Sequence, residues 1–230
     1  MSPQPPANGG PGQTADPEAL TVNELFFSIQ GESSWAGLPC IFVRLSFCNL
    51  RCSWCDSEYT FYEGRPSTVS AVLDHIAQWP CKLVEVTGGE PLAQEGCLPL
   101  LKRLCDAGYT VLLETSGSLD ISRVDPRVHR IMDLKCPGSG MAARNRLKNI
   151  EHLAARDEVK FVIKDRHDYE WAKDMLARHR IAEKCPVLMS PVFGQISNID
   201  LATWIMDDGL SVRFQVQMHK VIWPPNTRGV

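Results

Sequence analysis

The chain reads as an α/β protein, a single-domain partial (β/α) barrel whose sheet is mainly parallel. Three observations predict this. Short apolar runs rich in Val, Ile and Phe alternate with stretches of helical period, the rhythm of βα units. No internal sequence repeat accompanies the rhythm, so it is structural, and right-handed crossovers coil such a sheet toward a barrel. At 230 residues and 44% apolar content the chain suits one core of moderate size.

Taken in order, residues 1–18 are dominated by Pro, Gly and small polar residues and are expected to be a flexible tail, with one core domain over 19–230. Val22, Leu25, Phe26, Phe27 and Ile29 make a first strand, ending at Gln30-Gly31-Glu32. Residues 39–47 make a second. Arg44 interrupts it, and a charge in a buried strand needs a partner, either Glu24, Glu32 or an anionic ligand. Ser67 or Thr68 caps a helix carrying Val69, Val72, Leu73 and Ile76 on one face. Residues 83–87 are a strand running into Gly88-Gly89-Glu90-Pro91. Leu98, Leu101 and Leu104 mark a helix ended by Gly108, and 110–113 is a strand entering Glu114-Thr115-Ser116-Gly117-Ser118. Strands follow at 130–135, 159–163, 187–190 and 212–218, with helices around 145–155, 169–180 and 198–208 between them.

The net charge of −3 gives no basic footprint for nucleic acid or an anionic membrane. No apolar run reaches membrane-spanning length and no leader pattern opens the chain. Nine cysteines, an odd number, point to a reducing compartment, the cytoplasm, with thiols and metal ligands in place of disulfides. Cys40, Cys81, Cys97, Cys105, Cys136 and Cys185 share no ligand spacing and read as packing residues.

Cys48, Cys52 and Cys55 are different. They sit on a segment without helical or strand period, and no further Cys or His follows until His75. Soft thiolates select zinc, copper(I) or iron–sulfur, and a structural zinc site wants four ligands. A four-iron cluster held by three local thiolates keeps one iron open to a small molecule. A zinc knuckle with a remote fourth ligand is the alternative.

This Cys-x-x-x-Cys-x-x-Cys spacing resembles the signature of radical S-adenosylmethionine (SAM) enzymes, with Trp54 matching the aromatic that precedes the third cysteine. Together with Gln30-Gly31-Glu32, Arg44, Cys55-Asp56-Ser57, the Gly88-Gly89-Glu90-Pro91 and Glu114–Ser118 elements, Asp133-Leu134-Lys135-Cys136-Pro137 and Gln217-x-His219-Lys220, the chain from about residue 22 resembles the 7-carboxy-7-deazaguanine synthases.

That resemblance implies a barrel of the radical SAM type and a lyase acting on 6-carboxy-5,6,7,8-tetrahydropterin, with loss of ammonia, in queuosine and 7-deazapurine biosynthesis. It implies a [4Fe-4S] cluster on Cys48, Cys52 and Cys55, and a SAM pocket of Trp54, Asp56, Gly89, Glu90, Ser116, Asp133, Lys135 and Ser190, with Glu90 receiving the cofactor's amino group. A substrate pocket of Ile29, Gln30, Gly31, Glu32, Arg44 and Thr87 follows, with Ser57 as a ligand of Mg²⁺. No side chain is implied as catalytic beyond the cluster and SAM. An electron donor such as flavodoxin or ferredoxin and a homodimer are implied too. The chain lacks a long insertion that some members carry between the first two cysteines, and it continues past His219-Lys220 where some members end. His219, with Gln217 placed two residues earlier on the same strand face, is a candidate for the pocket wall. The alternatives are another small radical SAM enzyme, such as a glycyl-radical-enzyme activase, or a non-catalytic zinc module.

Overall fold

The computed structural model describes residues 17–230, so the expected tail lies outside the described residues but for its last two positions. Nine strands among the described residues form one open sheet: β1 (Ala19–Ile29), β2 (Pro39–Leu45), β3 (Arg65–Thr68), β4 (Leu83–Gly88), β5 (Thr110–Thr115), β6 (His129–Asp133), β7 (Glu158–Ile163), β8 (Val187–Pro191) and β9 (Arg213–Phe214). Their order is β3-β1-β2-β4-β5-β6-β7-β8-β9. Parallel pairing runs from β2 to β9, whereas β1 is antiparallel to both β2 and β3. The sheet does not close, as a partial barrel requires.

Helices α1 (Val69–Ile76), α2 (Cys97–Asp106), α3 (Arg166–His179) and α4 (Asn198–Asp207) carry the crossovers, and a short α5 (His219–Ile222) follows β9. Thr68 caps α1 by accepting the Ala71 N–H, and Asp165 and Ser197 do the same for α3 and α4.

Side-chain alternation along the strands divides the sheet into two faces. Ile41, Val43 and Leu45, Val84 and Val86, Val111 and Leu113, and Val159, Phe161 and Ile163 face the helices and join the main core with Val72, Leu101, Leu104, Tyr169 and Leu201. On the opposite face, Phe26, Cys40, Phe42, Leu83, Leu112 and Ile131 form a separate apolar plug. One step further along the same strands the inward positions become Arg44, Glu85, Glu114 and Asp133. The sheet interior is therefore sealed at one end and polar at the end where the parallel strands finish, the place where ligands gather in such sheets.

Two expectations are corrected, and one strand was not read from the sequence. Residues 65–68 form an edge strand that Pro66 and two hydroxyl residues disguise, since polar residues and Pro are tolerated only at an edge. The helix expected around 145–155 is two 3-10 segments, Ala142–Arg144 and Leu147–His152, followed by loop. Of the strand expected at 212–218 only Arg213–Phe214 pairs; Gln217 is in a loop and His219 begins α5.

Candidate active site

At the polar end lies a cavity of about 690 Å³. The cysteine loop that borders it is fixed from several sides. The Gly89 and Glu90 N–H groups donate to Leu45 O and Phe47 O at 3.2 and 2.8 Å, so the loop after β4 is stitched to the start of the cysteine loop. A Cβ on Gly89 would sit 2.7 Å from Cys48 Cβ and closer still to Phe47 O, and only glycine allows that approach. Further along, Ser53 donates through its N–H to Ser139 O at 3.1 Å and through its hydroxyl to Gly138 O at 2.8 Å. Phe47, immediately before Cys48, holds φ of 71°, a left-handed conformation that turns the chain into the loop.

Cys48, Cys52 and Cys55 all line the cavity. Burial pushes the Cys48 and Cys52 thiols above the ordinary thiol range, so thiolates there need a metal cation to draw the protons off. The Leu50 N–H points at Cys48 Sγ at 3.4 Å, the kind of donor that stabilises a ligating sulfur. Three thiols on one wall, a glycine cradle beside them and polar groups across the cavity fit a cluster with an open coordination position. Of the six cysteines read as packing residues none lines the cavity, and Cys40, Cys97, Cys136 and Cys185 are buried.

Of the residues assigned to the SAM pocket, Trp54, Asp56, Gly89, Ser116, Asp133 and Lys135 line the cavity. Lys135 pairs with Asp133 at 2.8 Å, and Asp133 Oδ1 is buried with no hydrogen-bond donor from the described residues, an acceptor free for a ligand. Glu90 and Ser190 do not line it. Glu90 is fully buried and already accepts from Thr115 Oγ1, the Ser116 N–H and hydroxyl and the Leu92 N–H, so it ties loops together where an ammonium acceptor was expected. Ser190 lies buried on β8 with its hydroxyl unpartnered.

The assigned substrate residues Ile29, Gln30, Gly31, Glu32, Arg44 and Thr87, and Ser57, all line the cavity. Arg44 lies opposite Glu24 across β1 and β2, and its Nε donates to Glu24 Oε2 at 3.1 Å. A Cβ on Gly31 would strike the His219 ring, so glycine lets the two segments meet. Gln30 donates to Glu85 Oε2 at 2.5 Å and accepts the Glu32 N–H at 3.1 Å, which fixes its amide.

Sequence reasoning missed the interior charges. Lys160 on β7 is 4% exposed and pairs with Glu32 at 2.7 Å, and at shorter range with Glu114. Burial disfavours its ammonium, but Glu114, Glu32 and Asp133 outweigh that and raise its pKa well above the usual lysine value. Burial likewise opposes ionisation of Glu32, and Lys160 overrides it and holds the carboxyl low. Glu85 has no such partner. Burial and the nearby Glu114 carboxylate push it to about 8, so it is a neutral acid at neutral pH. The available signal was a Glu or Lys at the inward position of an otherwise apolar strand.

The C-terminal stretch closes the cavity. Gln217 donates to Glu32 at 2.9 Å, Lys220 pairs with Asp56 at 2.7 Å, and Gln215 and Ser33 exchange two hydrogen bonds. His219 lines the wall, with burial lowering its pKa so that the imidazole is neutral. Residues 225–230 line the wall as well, held by Arg228, which pairs with Glu63 at 3.0 Å and stacks 3.7 Å over the Tyr59 ring.

The sequence profile of the Radical SAM superfamily matches residues 43–182. The 7-carboxy-7-deazaguanine synthase of Koribacter versatilis is 45% identical over 226 residues, spanning 92% of this chain and all of that one. That of Chlorobaculum tepidum is 46% identical over 214 residues, spanning 92% and 97%. Among solved structures, QueE from Escherichia coli superposes with a TM-score of 0.73 at 23% identity, over 87% of this chain and 95% of that one, a likeness of fold. No described helix is long and apolar enough to cross a membrane. The activase and zinc-module readings give way to these matches: the chain belongs to the radical SAM superfamily and, within it, to the 7-carboxy-7-deazaguanine synthases.

Proposed function

We propose that the chain converts 6-carboxy-5,6,7,8-tetrahydropterin to 7-carboxy-7-deazaguanine with loss of ammonia, with Cys48, Cys52 and Cys55 holding a [4Fe-4S] cluster and SAM bound beside it. The observation that carries this reading is the meeting, on one cavity wall, of the cysteine triad with Gln30, Glu32, Arg44 and Thr87. When bound, the cluster and SAM supply a 5′-deoxyadenosyl radical that takes a hydrogen atom from the substrate.

The protein's own part is positioning and exclusion. Asp133 Oδ1, unpartnered in the protein, and the Ser116 hydroxyl would hydrogen-bond the cofactor's polar groups, while Lys135 fixes the other Asp133 oxygen at 2.8 Å. Arg44, with one edge bound to Glu24, offers the rest of its guanidinium to the substrate carboxylate. Glu32 and Glu114 accept from the ring N–H and amino groups of an amphoteric heterocycle, and Gln30 presents a fixed amide. Gln217, His219, Lys220 and residues 225–230 wall one side of the cavity and so narrow the approach of water and competing hydrogens to the reacting C–H bond.

Ser57, at the wall 3.8 Å from Cys55 Sγ, would offer its hydroxyl as a ligand to a hydrated Mg²⁺, which would supply positive charge for the substrate carboxylate. A flavodoxin or ferredoxin is assigned as reductant and a homodimer as the assembly. An anaerobic assay of reconstituted enzyme with dithionite, SAM, Mg²⁺ and the carboxytetrahydropterin, beside Cys52→Ala, tests the function. Formation of 5′-deoxyadenosine and the deazapurine by wild type alone is expected. 5′-Deoxyadenosine without deazapurine overturns the substrate assignment, and neither product overturns the chemistry.

A further inference from the structure

Lys160 is buried and faces two halves of one cavity. Its ammonium reaches Glu32 Oε2 at 2.7 Å and Glu114 Oε1 more closely, while Asp133 Oδ2 lies at 3.7 Å, beyond hydrogen-bond reach. On the first side, Glu32 also holds Gln217 at 2.9 Å and Glu114 accepts the Thr87 hydroxyl at 3.2 Å. On the second, Asp133 has its own cation in Lys135 at 2.8 Å. Each half thus has its own hydrogen-bonded lysine, with Asp133 reaching Lys160 only through a longer ion pair.

The charges facing Lys160 come from every neighbouring element. They are Glu32 after β1, Glu85 on β4, Glu114 on β5, Asp133 and Lys135 at the end of β6, and Asp56 from the cysteine loop. His219 from α5 faces Glu32. Remove Lys160 and both Glu32 and Glu114 lose the ammonium that bonds them, and Glu32, whose burial opposes ionisation, shifts toward its protonated form. Asp133 keeps Lys135.

We propose that Lys160 is a positioning residue for the reaction: its ammonium, bonded to both carboxylates, fixes Glu32 and Glu114 as the two acidic contacts for the heterocycle, while Lys135 holds Asp133 on the SAM side. This rests on the substrate assignment above. A lysine that merely neutralised buried charge would change stability without separating the two ligands.

The test uses reconstituted holoenzyme carrying Lys160→Met, which keeps the bulk of the side chain and removes its charge, beside Lys160→Arg. Three quantities are read: the dissociation constant for SAM, the dissociation constant for the carboxytetrahydropterin, and the acid limb of the pH dependence of kcat/KM. Charge-assisted contacts of this kind correspond to about tenfold or more in affinity, so heterocycle binding by Lys160→Met weakens by about that factor. SAM binding stays within about threefold, and the acid limb moves about one pH unit upward as a carboxyl regains its proton. Lys160→Arg keeps the limb where wild type has it. Unchanged heterocycle affinity and an unmoved limb overturn the proposal, as does loss of SAM affinity in step with heterocycle affinity. If Lys160→Met does not fold, Lys160→Gln, which keeps a hydrogen-bond donor toward the two carboxylates and removes the charge, is read by the same outcomes. A wild-type enzyme that binds SAM but neither binds nor converts the heterocycle sinks the substrate assignment and this role with it; conversion by wild type with an indifferent variant sinks this role alone.

Discussion

Glu90 accepts both the backbone N–H of Ser116, at 2.8 Å, and its hydroxyl, at 2.5 Å, and so joins the loop after β4 to the loop after β5. Two neighbouring parallel strands deliver these loops to the same rim. Because Glu90 is fully buried, removing its carboxylate strands donors that water cannot reach.

Glu90→Ala is therefore expected to cost about 2–4 kcal/mol of stability, seen as a lower denaturation midpoint by circular dichroism. Glu90→Gln keeps one acceptor oxygen and loses less. Equal stability of Glu90→Ala and wild type would show that the loops are held elsewhere.

Gly89→Ala acts on the cysteine loop itself. The added methyl meets Phe47 O, a backbone atom that cannot swing away, and Cys48 Cβ at 2.7 Å. Reconstituted Gly89→Ala is expected to bind markedly less iron per chain than wild type, with its visible absorbance reduced in proportion.

Among the cysteines, Ala at Cys48, Cys52 or Cys55 abolishes iron binding and 5′-deoxyadenosine formation, while Cys185→Ala keeps the iron content of wild type. Cys185 is a buried packing residue away from the cavity, and its truncation costs about 1 kcal/mol in a well-packed core. Iron analysis across the four variants decides the matter.

Glu85 governs an alkaline effect on folding. Its pKa rises from 4.5 in the unfolded chain to about 8 in the folded one, so it favours the folded state fully below pH 4.5. That contribution is lost progressively as pH climbs to about 8, where the buried carboxyl ionises beside Glu114. Glu85→Gln preserves an acceptor for Gln30 and removes the titration. Its melting temperature is expected to exceed that of wild type increasingly from about pH 4.5 to about pH 8 and by a constant margin above that, the window set by the shifted group. Parallel curves for the two proteins would contradict this.

Arg228 fastens the final residues over the cavity through an ion pair that is half exposed on both sides and a stack on Tyr59. Exposed pairs contribute little, about 0–1 kcal/mol, so Arg228→Ala should melt within a few degrees of wild type. KM for the heterocycle is expected to rise about severalfold with SAM binding retained, since a looser wall weakens positioning. Steady-state kinetics beside a thermal melt separates the two effects.

Much of this protein was written locally in the chain. The cysteine spacing, the Gly88-Gly89 pair and the strand-helix rhythm depend on residues close together in sequence, and each appears in the fold where its local pattern puts it. Edge strand β3 was hidden because an edge needs few apolar residues, and the 142–152 segment because 3-10 turns have no amphipathic period.

What only the tertiary structure decided is the interior charge. Glu85, Glu114 and Lys160 lie far apart in sequence, and each alone is an odd polar residue in an apolar strand. Parallel register and two-residue alternation turn all three toward one desolvated space, where the Glu114 carboxylate raises the pKa of both Glu85 and Lys160. Glu90 shows the same limit from the other side: its motif pointed to a ligand, and packing surrounded it with protein donors first. Local pattern sets which chemistry is on offer, because thiols and glycines act where they stand; long-range packing sets which charges survive burial, because a buried charge is defined by its neighbours.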